Sequence, residues 1–191
     1  MRSLSTYAAG LTSAIGVVAL LAAVPAARAD DPPPLTELVD AAAQRLLVAD
    51  DVAAVKWRTG AAIEDPARVA RQLEALTADA AGAGLDPDYV RRIFTDQIAA
   101  TEAAEHHRFD QWTRDPDAAP QTGPELADSR ARIDGFNRAM LAQIGAHWEL
   151  LHSADCAAEL DAATRTVGDA HHLEEFYRQA LSAATRDYCP R

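Results

Sequence analysis

Arg45-Leu-Leu-Val-Ala-Asp-Asp-Val-Ala-Ala-Val-Lys56-Trp57-Arg58, followed after Gly60 by Ile63-Glu-Asp65-Pro-Ala-Arg68-Val-Ala-Arg71-Gln72, is the stretch on which the reading of this chain turns. Leu38, Ala42, Arg45, Ala49, Val52 and Lys56 are spaced by alternating steps of four and three, which places them on one stripe of a helix. Two cations therefore stand on a mostly apolar line, and Lys56 is the only lysine in the chain. A buried cation is costly without an anionic counterpart, so the stripe asks for one, from the protein or from a ligand.

Outward from this stretch the composition is that of an all-α protein. Alanine is abundant, and aromatic and β-branched residues never gather into alternating runs. The pattern predicts a single-domain bundle of about six helices. The first runs from about Leu35 to Thr59 and is stopped by Gly60. The second starts at Glu64 or Asp65 with Pro66 in its first turn and runs to about Ala81, stopped by Gly82 and Gly84. Asp86-Pro87-Asp88 starts a third, to about Arg114, with Val90, Phe94, Ile98, Thr101 and Glu105 on one stripe. Asp115–Pro124 reads as a loop. A fourth helix spans about Glu125 to Leu151 with Ile133, Met140, Ile144, Trp148 and Leu151 facing inward. Ser153-Ala-Asp155 caps a fifth near Cys156, and after a break near Gly168–His172 a last helix runs to about Tyr188.

Residues 1–29 read as a cleaved signal peptide: Arg2, an apolar run from Ala8 to Val24, and Ala27-Arg28-Ala29 as the cleavage site, with the cut after Ala29. Residues 30–191 are then one domain. Removing Arg2 and Arg28 leaves 16 basic against 29 acidic residues, so the net charge moves from −11 to −13. Nucleic acid and anionic membrane surfaces are poor partners for such a chain. Cys156 and Cys189, the only cysteines of an exported chain, read as a disulfide.

Polar residues recur where core periodicity calls for apolar ones. Arg45 and Lys56 do so on the first helix. Asp65, Arg68 and Gln72 share a face of the second, Thr101 and Glu105 lie on the inward stripe of the third, and Arg130 precedes Ile133 by three on the fourth. The plain structural alternative is a set of ion pairs, Arg68 with Asp65 and Lys56 with Glu105, that fixes helix register, with Asp65 equally explained as an N-cap. Taken together, the excess of cations in an acidic protein points to an anion site. A metal site built from His106-His107 and His171-His172 is disfavoured, because adjacent histidines diverge by about 100° around a helix. Arg71, Arg91 and Arg92 read as surface residues.

Arg45, Lys56, Ile63-Glu64-Asp65-x-x-Arg68-x-x-x-Gln72 and Gln97-x-x-x-Thr101-Glu102-x-x-Glu105 resemble the all-helical AroQ-type chorismate mutases. The signal peptide, the Leu38-Val-Asp-Ala-Ala-Ala-x-Arg45-Leu opening and the C-terminal cysteine pair are most similar to the secreted subclass known from mycobacteria. The resemblance spans Leu35 to Cys189. It implies an exported isomerase that rearranges chorismate to prephenate, in the phenylalanine/tyrosine branch of aromatic biosynthesis, with no metal or cofactor and as a homodimer. It also implies roles. Arg45, Arg68 and Arg130 grip the two carboxylates, and Lys56 and Glu105 flank the ether oxygen. Gln72 and Asp65 orient the ring hydroxyl and its cationic neighbours, and Thr101 supports a carboxylate. Arg130 stands in for an arginine that many relatives borrow from a partner chain, and Glu105 stands where many carry glutamine. The alternative from another class is a secreted helical binding protein that has lost catalysis; an assay for chorismate loss separates the two.

Overall fold

A computed structural model describes residues 32–190, and the expected signal peptide lies outside them. The described residues are helical, with no strand among them. The elements are α1 (Thr36–Leu47), α2 (Ala49–Thr59), α3 (Pro66–Gly82), α4 (Pro87–Arg114), a 3₁₀ turn at Pro116–Ala118, α5 (Leu126–Ala146), α6 (Trp148–Leu151), α7 (Cys156–Ala170) and α8 (Glu175–Ala184). No helix among them is long and apolar enough to cross a membrane.

Local chemistry sets the boundaries nearest the polar stripes. Gly60 adopts φ 66°, a left-handed conformation that glycine takes without strain. This lets Ala61 N donate to Lys56 O at 3.0 Å and Gly60 N to Trp57 O at 3.5 Å, closing α2 in a Schellman motif. Asp65 caps α3 by accepting from Arg68 N at 3.0 Å, with Pro66 in the first turn. Asp86 caps α4 by accepting from Asp88 N at 2.8 Å and Tyr89 N at 3.3 Å. From there α4 runs 28 residues, about 42 Å at 1.5 Å per residue. It is the central pillar, packed against α1, α2, α3 and α8, while α1 packs in turn on α5 and α7. The main core includes Leu38, Leu46, Ile93, Phe94, Met140, Ile144, Leu181 and Tyr188, all fully buried.

Three expected helices are shorter or divided. The first run breaks at Val48, whose ψ of −18° leans towards 3₁₀ geometry and whose N–H reaches Gln44 O only at 3.3 Å. The fourth breaks at His147 (φ −110°, ψ 20°), and the restart seats Trp148 edge-on against Tyr89 with ring centroids 5.3 Å apart. The last ends at Ala184, not Tyr188, because the chain turns there to bring Tyr188 into the core and Cys189 to Cys156. Ser153-Ala-Asp155 precedes α7 as expected but supplies no side-chain cap; Ser153 Oγ accepts from Asp155 N instead. Helix α7 continues through Gly168 to Ala170, and the left-handed residue that follows is His172 (φ 51°).

The Cys156–Cys189 disulfide joins the start of α7 to the chain end across 33 residues. On the chain-entropy model a loop of that size stabilises the fold by about 3–4 kcal/mol. Replacing both cysteines by serine should lower the urea midpoint and raise the m-value, because the uncrosslinked denatured chain is more expanded; an unchanged midpoint would show that the crosslink contributes nothing.

Candidate active site

The polar stripes of five helices, α1 to α5, converge on one cleft of about 820 Å³, counting its open mouth. All eight residues singled out in the sequence line it: Arg45, Lys56, Asp65, Arg68, Gln72, Thr101, Glu105 and Arg130. Val52, Ile63, Val69, Ile98, Leu126 and Ile133 supply apolar walls, which exclude water and strengthen every charge interaction inside.

Arg45 is 2 % exposed and has no carboxylate within ion-pairing distance among the described residues. Neutral groups hold it instead. Nε donates to Asn137 Oδ1 at 2.8 Å, and Nη1 to Thr101 Oγ1 at 2.9 Å and to Gln97 O and Oε1, each at 3.3 Å. Its Nη2 donates to no protein acceptor among the described residues, which leaves one arm of the guanidinium fork free. Burial lowers the Arg45 pKa to about 10, so the group stays charged at neutral pH. Thr101 donates its own proton to Gln97 O at 2.8 Å, so its hydroxyl is committed to the same network.

Arg68 and Arg130 are half-buried and face the cleft with no salt bridge of their own among the described residues. Arg68 is held below the usual arginine range, first by burial and then by the neighbouring Arg130 charge. The expected Arg68–Asp65 ion pair does not form. Asp65 instead accepts from the Arg68 backbone N–H with Oδ1, capping α3. Elsewhere arginines facing acids are paired: Arg108 grips Asp50 with two bonds of 2.8 and 2.6 Å, and Arg186 bonds Asp96. Gln72 contributes a buried Nε2 that lacks a protein partner.

Lys56 and Glu105 do pair. Lys56 Nζ donates to Glu105 Oε2 at 2.6 Å and to Ile63 O at 2.6 Å. An ammonium has three donors, so one remains for the cleft. Glu105 is 3 % exposed. Burial pushes its carboxyl above the ordinary carboxylate range, against the opposing pull of the Lys56 hydrogen bond and charge.

Three lining or supporting residues were not singled out as site residues from the sequence. Glu102 lines the cleft, and Gln97 and Asn137 hold Arg45. A usable signal existed for Asn137, which falls at i+7 from Arg130 and i+4 from Ile133 on the stripe that continues to Met140 and Ile144. The histidines serve other ends. His106 pairs with Glu64 at 2.7 Å, His107 stacks on Phe176 at 3.9 Å between centroids, and His171 meets Asp40 at 2.6 Å. Arg71, Arg91 and Arg92 are exposed, as expected.

Comparison with known proteins places nearly the whole chain among chorismate mutases. The model of the type II chorismate mutase family matches residues 36–106. The chain is 49 % identical over 184 residues to the secreted chorismate mutase of Mycobacterium tuberculosis, covering 94 % of this chain and 92 % of that protein. It is 49 % identical over 165 residues to the secreted chorismate mutase of Mycolicibacterium smegmatis, covering 86 % and 91 %. Among solved structures, chorismate mutase from Burkholderia phymatum superposes with a TM-score of 0.79 at 28 % identity, covering 83 % of this chain and 97 % of that one. The enzyme from Burkholderia thailandensis gives 0.77 at 30 % identity, covering 82 % and 99 %. With three helices aiming arginines without a carboxylate partner into one cleft, and half of its residues shared along nearly its whole length with two secreted chorismate mutases, the chain belongs to the type II chorismate mutase family.

Proposed function

We propose that the cleft performs the family's reaction on this chain: the intramolecular rearrangement of chorismate to prephenate, in an exported enzyme. The observation that carries this reading is the set of three arginines, Arg45, Arg68 and Arg130, that face one cleft of an acidic protein without a carboxylate partner. Chorismate is a dianion, and its two carboxylates supply the missing charge.

The reaction is concerted and unimolecular, so the protein has two tasks. The first is to hold a flexible substrate in the compact geometry in which the bond-forming carbons meet. Arg45, Arg68 and Arg130 grip the carboxylates through their planar forks. The free Nη2 of Arg45 and the network that immobilises the rest of its guanidinium suit that role. Thr101 supports the carboxylate through Arg45, and the unpaired Nε2 of Gln72 is a donor for the ring hydroxyl. Asp65, through its cap, sets where Arg68 enters the cleft.

The second task is to stabilise the negative charge that grows on the ether oxygen as the C–O bond breaks. Lys56 keeps one N–H for that oxygen while Glu105 and Ile63 O fix its ammonium. Glu105 donates only when protonated. Oε2 then accepts from Lys56, and the proton on Oε1 points to the oxygen from its other side. Burial favours this form. No covalent intermediate, metal or cofactor has a part in these steps.

Export follows from residues 1–29, cleaved after Ala29, and is supported by the names of both secreted relatives. A homodimer is the assembly we carry over from the family. Protein recovered outside the cytoplasm should begin at Asp30 and show twice the chain mass by light scattering; an intact leader or a monomer mass would refute the respective part.

Purified mature protein should consume chorismate, followed by its ultraviolet absorbance, and Lys56→Ala should lower kcat by about 10²–10³. A near-normal rate in that variant would remove Lys56 from the chemistry, and no chorismate loss by the unaltered protein would leave a binding protein in its place. The pH profile tests Glu105. Because its pKa is raised, the proton persists to higher pH than on a free glutamate, and activity should fall as pH rises through that value. Glu105→Gln cannot ionise and should flatten the profile; the same decline in the variant would assign it to another group.

A further inference from the structure

A second cavity adjoins the cleft. Helix α3 packs on α4, while α5 packs on α1 and α2, which leaves a groove between α3 and α5. Its volume is about 810 Å³, counting its open mouth. Arg68 and Gln72 line both the cleft and this groove. Beyond them the groove adds Arg71 from α3, and Asn137 and Arg138 from α5, together with Asp79 and Asp134. None of its three arginines and neither of its acids forms a salt bridge among the described residues. Three guanidiniums against two carboxylates leave the groove positive, in a chain whose formal charge is −11.

Asn137 gives the groove a built wall. It is 4 % exposed, and its Oδ1 accepts from Arg45 Nε at 2.8 Å. A guanidinium has donors only, so the amide is held oxygen-first towards Arg45 and its NH₂ turns the other way. Nδ2 donates to no acceptor among the described residues, and Asn137 lines the groove and not the cleft. Gln72 adds a buried Nε2 that also lacks a protein partner. Spare amide donors thus stand beside spare guanidiniums, and what they have in common is the need for an oxyanion.

We propose that this groove is a second oxyanion site, for a small ligand bearing a carboxylate or phosphate group. Arg71, Arg138 and Asn137 Nδ2 hold the anion, and Arg68 turns towards it from the shared wall. Occupancy therefore draws Arg68 away from the cleft and weakens the hold on chorismate. That coupling rests on Arg68 gripping a substrate carboxylate, as proposed above; the site itself does not.

The test titrates inorganic phosphate and succinate separately against chorismate turnover, with ionic strength held constant by sodium chloride. At least one should raise KM to a plateau roughly 5-fold or more above its starting value, with kcat nearly unchanged. The anion that acts at lower concentration identifies the group the site prefers. Arg71→Gln combined with Arg138→Gln leaves the clamp residues intact. It should keep the kinetics measured without added anion and abolish the plateau. A KM that climbs without limit, equally in the unaltered protein and the double variant, is plain competition in the cleft and overturns the proposal. No effect of either anion also overturns it. Broadening of the phosphate phosphorus NMR line by the protein needs no turnover, and it should fall in the double variant; equal broadening by both proteins refutes the site. If broadening falls as expected while the unaltered protein leaves chorismate intact, the groove stands and the assigned reaction fails.

Discussion

A charged guanidinium that is 2 % exposed, hydrogen-bonded only to neutral groups, is the constraint on which this structure depends. Arg45 cannot be discharged at neutral pH, and leaving it half-satisfied in the core is among the costlier things a fold can do. The bundle answers by bringing Asn137 from α5 and Gln97 and Thr101 from α4 to the same side chain. That requirement fixes how α1, α4 and α5 sit around one another. It also leaves the positive charge uncompensated, so the network that settles the fold creates the demand for an anion. On the proposed function, stability and substrate binding are tied to the same atoms.

Lys56 and Glu105 solve a related problem differently. Their contact at 2.6 Å joins α2 to α4 and could be read as register-fixing alone. The third partner argues for more. Ile63 O reaches Lys56 because Gly60 closes α2 in a tight left-handed turn and the chain doubles back before α3. A backbone carbonyl and a carboxyl oxygen then hold the ammonium at a fixed point on the cleft wall, with one donor unspent. Fixed dipoles and charges that need no rearrangement are the form of electrostatic preorganisation that suits a reaction with no covalent step.

Much of this was legible in the sequence because it is written in local spacing. The stripe from Leu38 to Lys56, the Asp86-Pro87 start and the Gly60 stop each depend on residues within a few positions of one another. Eight of the polar residues that line the cleft were visible as polar intrusions on apolar faces. Asn137 escaped because an asparagine near Gly135 reads as an ordinary weak helix former, although its place on the Arg130–Ile144 stripe marked it. Gln97 stood within a recognised motif, yet its task of gripping Arg45 depends on α1 lying across α4. The breaks at Val48 and His147 follow no proline or glycine at the break itself, and local rules pass over them.

By itself the sequence determined an all-α chain, the faces its helices bury, the cysteine pair and the identity of the residues bearing charge inward. Periodicity and capping are properties of neighbours along the chain, and neighbours are what a sequence displays. Tertiary structure decided which charges meet. Lys56 and Glu105 are 49 residues apart and Arg45 and Asn137 are 92 apart, and no local rule says that the first pair forms while Arg68 and Asp65, three apart, stay unpaired. Helix crossings bring the distant groups to within 3 Å, and the cap of α3 spends the near carboxylate on backbone. What remains unpaired after that distribution is the cluster of arginines that lines the cleft.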